Sequence, residues 1–254
     1  MTSVLDNLCI VMVQTSHPGN IGAAARAMKT MGVSDLRLIQ PKDFNSPQTK
    51  AMASGADSIL EHAKRVQTLS EALADCQVVI GTSARSERSL PWPQLTAREC
   101  GEFVAPQLAG QKIALVFGRE RTGLTNEELA QCQYLTHIPM AVDYYSLNIA
   151  AAIQLYCYEC AMAVQGLKHP ESTPAEGLGE PLATGAQLEG LYEHLEQTLI
   201  EVRYLDPENP RLLMNRLRRL FGRTHLTQSE MNILRGILAA FQGRKFRPRA
   251  QEKA

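Results

Sequence analysis

Short runs of Val, Ile and Leu alternate with longer stretches of mixed polarity from Leu8 to about Gln165. The runs predict strands at Leu8–Val13, Leu36–Ile39, Val78–Ile80, Ile113–Phe117 and Tyr134–Ile138. Each is almost continuously apolar, as a parallel strand covered on both faces must be. Between them the spacing predicts helices near Gly22–Met31, Leu69–Ala74 and Asn126–Gln131, and a long one from Ser146 to about Val164. Strands alternating with helices predict an α/β unit over residues 1–165, a parallel sheet with crossover helices.

The pattern then changes. Gly166 to Gly185 holds three prolines and four glycines without periodicity, so residues 166–186 are expected to be a flexible linker. Beyond it Leu188, Leu191, Leu195, Leu199 and Val202 recur at helical spacing. A second helix is predicted from Asn209 as N-cap and Pro210 as first residue to Gly222. Thr227 with Glu230 forms a capping box for a third, expected to end at Gly243. Residues 187–243 therefore read as a small all-α module and 244–254 as a basic tail.

Composition sharpens this division. Apolar residues make up 44% of the 254 and charged residues 20%, which excludes a disordered or fibrous chain. Lys plus Arg and Asp plus Glu are both 26, and a zero net charge taken whole argues against nucleic acid. Divided, residues 1–170 hold 14 basic and 15 acidic groups, 171–201 hold seven acids and no Lys or Arg, and 211–249 hold ten bases against Glu230, a local net of +9. Such asymmetry marks an interaction segment for nucleic acid or a membrane surface. Six scattered cysteines without a signal peptide fit a reduced, cytoplasmic protein. Cys157 and Cys160 have metal-like spacing but no second pair, and read as buried helix residues. Asn148, Gln154 and Glu159 interrupt the most apolar stretch, so no membrane span is expected.

Four segments could carry chemistry. Gln14 to Met28, with Gly19, Asn20, Gly22 and Arg26, follows a strand and opens a helix whose N-terminus suits an anion; alone, Arg26 also reads as a solvated helix arginine. Val79 to Arg85 is a buried strand ending in Thr82, Ser83 and Ala84, at the edge where open α/β sheets bind ligands. Ala114 to Leu129 runs from a strand into a loop with Gly118, Glu120 and Gly123, closed by a Thr125–Glu128 capping box and a Leu124–Leu129 staple. Ile138 to Ala152 leads through Tyr144, Tyr145 and Ser146 into an Ala-rich helix, where Ser146 is by itself an ordinary cap. No G-x-G-x-x-G is present, which disfavours a nicotinamide oxidoreductase.

In this order the segments resemble the three motifs of the SPOUT methyltransferase superfamily, in its SpoU branch of RNA ribose 2'-O-methyltransferases. Asn20, Gly22 and Arg26 carry the first motif; Gly118, Glu120, Gly123 and Leu124 the second; Ile138, Pro139, Ser146, Leu147 and Asn148 the third. Further likeness to the bacterial enzymes that methylate tRNA cytidine and uridine lies in Gly32, Thr82 to Arg85, Leu90 to Pro93 and Arg119 to Glu128. The resemblance covers about the first 165 residues. It implies a Rossmann-like sheet with a C-terminal trefoil knot formed by motifs two and three, and a homodimer. The implied reaction is methylation of the ribose 2'-hydroxyl at position 32 of the tRNA anticodon loop, with S-adenosylmethionine as cofactor and no metal. The implied cofactor contacts are Thr82, Ser83, Ala84, Gly118, Ile138, Tyr145, Ser146 and Leu147; Arg26, Asn20 and Ser146 are the implied catalytic residues. An RNA-binding homologue that has lost catalysis is the alternative, against which Arg26 and the whole third motif speak. The basic module is expected to contact tRNA or to pack in a dimer.

Overall fold

The computed structural model describes residues 3–84, 92–141, 147–166 and 180–243. Two units divide the chain, Met1–Glu176 and Gly177–Ala254. In the first, chain order is β1 (Leu8–Val13), α1 (Pro18–Thr30), β2 (Asp35–Ile39), α2 (Pro47–Ala53), α3 (Asp57–His62), β3 (Lys64–Val66), α4 (Leu69–Leu73) and β4 (Val78–Thr82). It continues with β5 (Gln94–Thr96), α5 (Ala97–Val104), β6 (Ile113–Phe117), α6 (Asn126–Leu129), β7 (Tyr134–His137) and α7 (Ile149–Gly166). The seven strands form one sheet in the order β3-β2-β1-β6-β4-β7-β5, every pairing parallel. This is the α/β architecture that the apolar runs predict.

The sheet is covered on both sides, and strand alternation sorts its residues. Leu8, Ile10, Met12, Leu36, Leu38, Val78, Ile80, Ile113 and Leu115 pack with residues of α1, α5 and α7. Cys9, Val11, Val13, Val79, Ala114 and Val116 face the other way, toward Leu69 and Leu73 of α4 and Leu129 of α6. Because successive side chains take opposite faces, a strand buried on both shows no polar alternation. The two strands missing from the sequence reading, β3 and β5, are three-residue edge strands with exposed Lys64, Arg65 and Gln94.

Several boundaries differ from expectation. The first helix begins at Pro18, with proline in its first turn, so Gly22 lies inside the helix and not at its start. A Cβ on Gly22 would stand 2.0 Å from the carbonyl oxygen of Thr49 in α2; the glycine lets two backbones approach closely. Cys157 and Cys160 lie buried on α7, and all six cysteines are free and buried. Among the described residues no three His, Cys, Asp or Glu side chains could hold a metal, and no helix is long and apolar enough to cross a membrane. The trefoil threading expected of motifs two and three passes through residues 142–146, outside the described residues.

In the second unit α8 (Gly185–Glu201) and α10 (Gln228–Phe241) pack around Leu191, Met231 and Leu238, while α9 (Leu213–Gly222), which buries no residue, is tied to α8 by Arg218 through Glu189 and Tyr192. The capping box of Thr227 and Glu230 is formed. The linker expected over 166–186 is shorter at its end: Leu182 bridges Thr227, Ala183 is buried, and Thr184 caps α8. Its residues 167–179, and the basic tail, lie outside the described residues. The second helix starts at Leu213, later than Asn209–Pro210 predicted, because Arg211 takes a left-handed backbone (φ 50°) that no α-helix accommodates.

Candidate active site

In a parallel sheet every strand ends at the same edge, and the loops that follow meet there. At that edge a cavity of about 450 Å³ opens between the ends of β4, β6 and β7 and the start of α7. Thr82, Ser83 and Ala84 line it from β4, Gly118 and Glu120 from β6, Ile138 from β7, and Leu147 from the approach to α7. Six of the eight residues expected to contact cofactor are thus brought together; Tyr145 and Ser146 lie outside the described residues, as does Arg85. Ile149, Ala152 and Tyr156 of α7 supply further apolar wall, with Tyr156 edge-on to Phe117 at 5.6 Å. Burial pushes the Tyr156 hydroxyl far above its ordinary range, so it remains a neutral phenol.

Local sequence explains the rigidity of the walls. Thr82 donates to the Val116 carbonyl at 3.0 Å, and Ser83 N–H to the Thr136 carbonyl at 2.9 Å, tying the end of β4 to both neighbours. After β6 the chain doubles back: Arg119 and Gly123 exchange both backbone hydrogen bonds, at 3.2 and 2.9 Å. Gly118 sits inside this fold, where a Cβ would lie 2.2 Å from the Gly123 carbonyl carbon and 2.3 Å from Leu124 nitrogen. Arg119 grips Glu128 bidentately at 2.9 and 3.0 Å, while its Nε donates to Gln14 at 2.7 Å. Glu128 also completes the Thr125 capping box, so one carboxylate anchors both ends of the loop.

The sequence reading did not assign Glu120 a site role, and the structure makes it the junction of the three motifs. Its carboxylate accepts from Ser16 N–H and Oγ, from His17 N–H, and from Asn20 Nδ2 at 3.1 Å. Asn20 Oδ1 in turn accepts from Asn148 Nδ2 at 2.9 Å, and Asn148 Oδ1 caps the start of α7 through Ala150 N–H. Partial burial raises the Glu120 pKa, but its hydrogen bonds outweigh this and hold the carboxyl below its usual range. Both ends of the Asn20 amide are therefore engaged in holding the motifs together. Arg26 is exposed on α1 and does not line the cavity; its guanidinium takes no partner among the described residues.

Comparison with known proteins bears on this geometry. A model described as the SpoU rRNA Methylase family matches residues 7–158, and one for the TrmJ C-terminal domain of tRNA methyltransferases matches 186–253. The chain belongs to the SpoU methylase family. Like this SpoU methylase, the tRNA (cytidine/uridine/adenosine-2'-O-)-methyltransferase TrmJ of Pseudomonas aeruginosa spans both regions; it is 53% identical, over 94% of this chain and 95% of its own. The tRNA (cytidine/uridine-2'-O-)-methyltransferase TrmJ of Klebsiella pneumoniae is 46% identical over 94% and 98%. The crystal structure of TrmJ from Z. mobilis ZM4 superposes with a TM-score of 0.78 at 31% identity, covering 92% of this chain and 98% of that one. The cavity of this SpoU methylase lies between the ends of β6 and β7, the strands that precede its second and third motifs, and the end of β4.

Proposed function

We propose that this SpoU methylase transfers a methyl group from S-adenosylmethionine to the ribose 2'-hydroxyl of cytidine or uridine at position 32 of the tRNA anticodon loop, as a cytoplasmic homodimer. The observation that carries the reading is the 53% identity, over 94% of the chain, to a relative named for tRNA ribose 2'-O-methylation. The cavity fits the cofactor. Its 450 Å³ falls within the roughly 300–1,000 Å³ of small-molecule sites, and it joins hydroxyls and backbone amides to an apolar wall. Thr82, Ser83, Ala84, Gly118, Ile138 and Leu147 would hold it, together with Tyr145 and Ser146. When bound, the cofactor supplies an electrophilic methyl group.

The chain's own residues then have three tasks. The cavity walls fix orientation, since an in-line displacement needs its two reactants in near-attack geometry. Arg26 serves the acceptor: a guanidinium is not deprotonated in proteins, so it cannot act as base, but it binds a neighbouring phosphate bidentately and stabilises charge developing on the 2'-oxygen. That phosphate is then the nearest acceptor for the hydroxyl proton. Asn20 acts through Glu120 and Asn148 as a positioning residue for the start of α1, and Ser146 serves the ribose.

The test is incubation with radiolabelled S-adenosylmethionine and unmodified tRNA transcripts, then nucleoside mapping. The expected result is a 2'-O-methylated cytidine or uridine at position 32, absent when that nucleotide is 2'-deoxy. Transfer elsewhere refutes the position, and no transfer refutes the activity.

A further inference from the structure

Residues 202–212, between α8 and α9, form more than a connection. Arg203 and Arg211 both hold left-handed backbone, at φ 62° and 50°, a conformation residues with a Cβ adopt at a cost, often where a ligand is clamped. Between them the loop walls a cavity of about 580 Å³, lined among others by Tyr204, Asn209, Arg211, Leu212 and Arg216. Leu205 is buried beneath, yet Tyr204 is 71% exposed and Leu212 54%. Two large side chains thus stand open at the rim without a packing role.

The charges around the rim are available. Arg211 and Arg216 are exposed and take no side-chain partner among the described residues. Arg218 differs: it grips Glu189 at 2.5 Å and lies 4.5 Å above the Tyr192 ring. The loop also holds two exposed acids, Asp206, which accepts the Glu208 N–H at 3.0 Å, and Glu208 itself. An open aromatic ring beside unpaired guanidinium groups, over a cavity of small-molecule size, suits an unpaired nucleotide: the base stacks and the arginines take phosphate. The described residues 211–243 hold six arginines against one acid, Glu230, which favours a polyanion over a protein partner for this unit.

We propose that the α8–α9 cavity binds an unpaired nucleotide of the tRNA substrate, its base stacked on Tyr204 and its phosphate held by Arg211 and Arg216. The proposal rests on tRNA being the substrate. Its test uses the full chain and an unmodified tRNA transcript, with binding followed by fluorescence anisotropy at several salt concentrations. Tyr204→Ala should raise Kd about tenfold and Tyr204→Phe should restore binding to within about twofold, because stacking needs the ring and not the hydroxyl. Arg216→Ala should weaken binding and lower the salt slope by about one. Arg211→Gly separates recognition from folding: glycine suits φ 50°, so the Tm should hold or rise while Kd increases. Wild-type Kd and salt slope in Tyr204→Ala and Arg211→Gly, in protein that still methylates the tRNA, overturn the nucleotide site, leave the activity standing and point this face to a protein partner. Wild-type protein that neither binds nor methylates tRNA overturns both.

Discussion

Gly118→Ala tests whether the doubled-back loop after β6 shapes the cavity. The added Cβ would meet Gly123 carbonyl carbon at 2.2 Å, Leu124 nitrogen at 2.3 Å and Gly123 oxygen at 2.6 Å, all backbone. A side chain can rotate away from such a contact, whereas a backbone can yield only if the 118–124 segment moves by about 1 Å. The segment is pinned by the two Arg119–Gly123 backbone hydrogen bonds and by the Arg119–Glu128 and Arg119–Gln14 contacts. Overpacking costs about 1–3 kcal/mol, and loosening two hydrogen bonds about 1 kcal/mol each, so the loss is about 3–5 kcal/mol. For a chain of this size that lowers the Tm by about 10 °C or more. Calorimetric titration with S-adenosylmethionine should show a Kd increase of about a hundredfold, since a wall displaced by 1 Å no longer matches its ligand. Gly110→Ala is the control: a Cβ there meets nothing within 4 Å, and the Tm and Kd should stay at wild type. A Gly118→Ala protein with wild-type Kd and a Tm within about 1 °C would refute this account of the loop.

Three further substitutions probe other links. Glu120→Gln replaces one acceptor oxygen with a donor that faces Ser16 N–H and Oγ at the Oε2 position, or Ser16 N–H, His17 N–H and Asn20 Nδ2 at the Oε1 position; allowing for its exposure it should destabilise by about 1–2 kcal/mol and lower kcat about tenfold, with unchanged kcat refuting its junction role. Arg26→Ala should lower kcat by about 10²–10³ with cofactor Kd nearly unchanged, and a joint loss in titration and kinetics would refute the oxyanion role. Arg37, 2% exposed, donates to Asp35 at 2.7 Å, to the Ala72 carbonyl at 2.5 Å and to Asp75, so Arg37→Met should cost about 3 kcal/mol without altering kcat of the folded enzyme. Burial raises the Asp75 pKa, but Arg37 holds it well below the carboxylate range; the stability it adds is present above about pH 4 and lost as pH falls further. Thermal melts between pH 6 and 3 should show a steeper loss in wild type than in Arg37→Met, and parallel curves would contradict the linkage.

The sequence was most legible where burial is complete. Leu8–Val13 and Ile113–Phe117 match β1 and β6 residue for residue, because central strands show their apolar run without interruption. It was least legible at the rims. β3 and β5 have three residues and an exposed face, and α2 and α3 are short. The Thr96–Glu99 capping box was a usable signal for α5 that the reading passed over. In the site, Gly118 and Thr82 announced themselves through motif position, but the link from Glu120 to Asn20 spans 100 residues of sequence. No local pattern encodes it. The same holds for the ladder in which Arg119 donates to Gln14, Gln14 to Gln40, and Gln40 to the Gln67 carbonyl; Gln14 and Gln40, which directly follow β1 and β2, take left-handed backbone to join it.

The pairing of charges explains why a near-neutral catalytic unit is joined to a basic one. Asp35, Arg37, Asp75 and Lys112 neutralise one another at the amino ends of β2, β4 and β6, the edge opposite the cavity. At the carboxyl edge Arg119 is used by Glu128, and Glu120 by amide and hydroxyl donors. Contacts of this kind stabilise a fold but leave little field to attract a polyanion, since each charge is already met at about 3 Å. Attraction must then come from groups without partners. In the first unit Arg26 is such a group, on the helix that carries the first motif. In the second, Glu189 claims Arg218 while Arg211 and Arg216 remain open. The net charge of zero is thus the sum of spent pairs, unspent arginines and the acids that offset them, many of these in residues 171–201, and the salt dependence of tRNA binding should follow the unspent arginines alone.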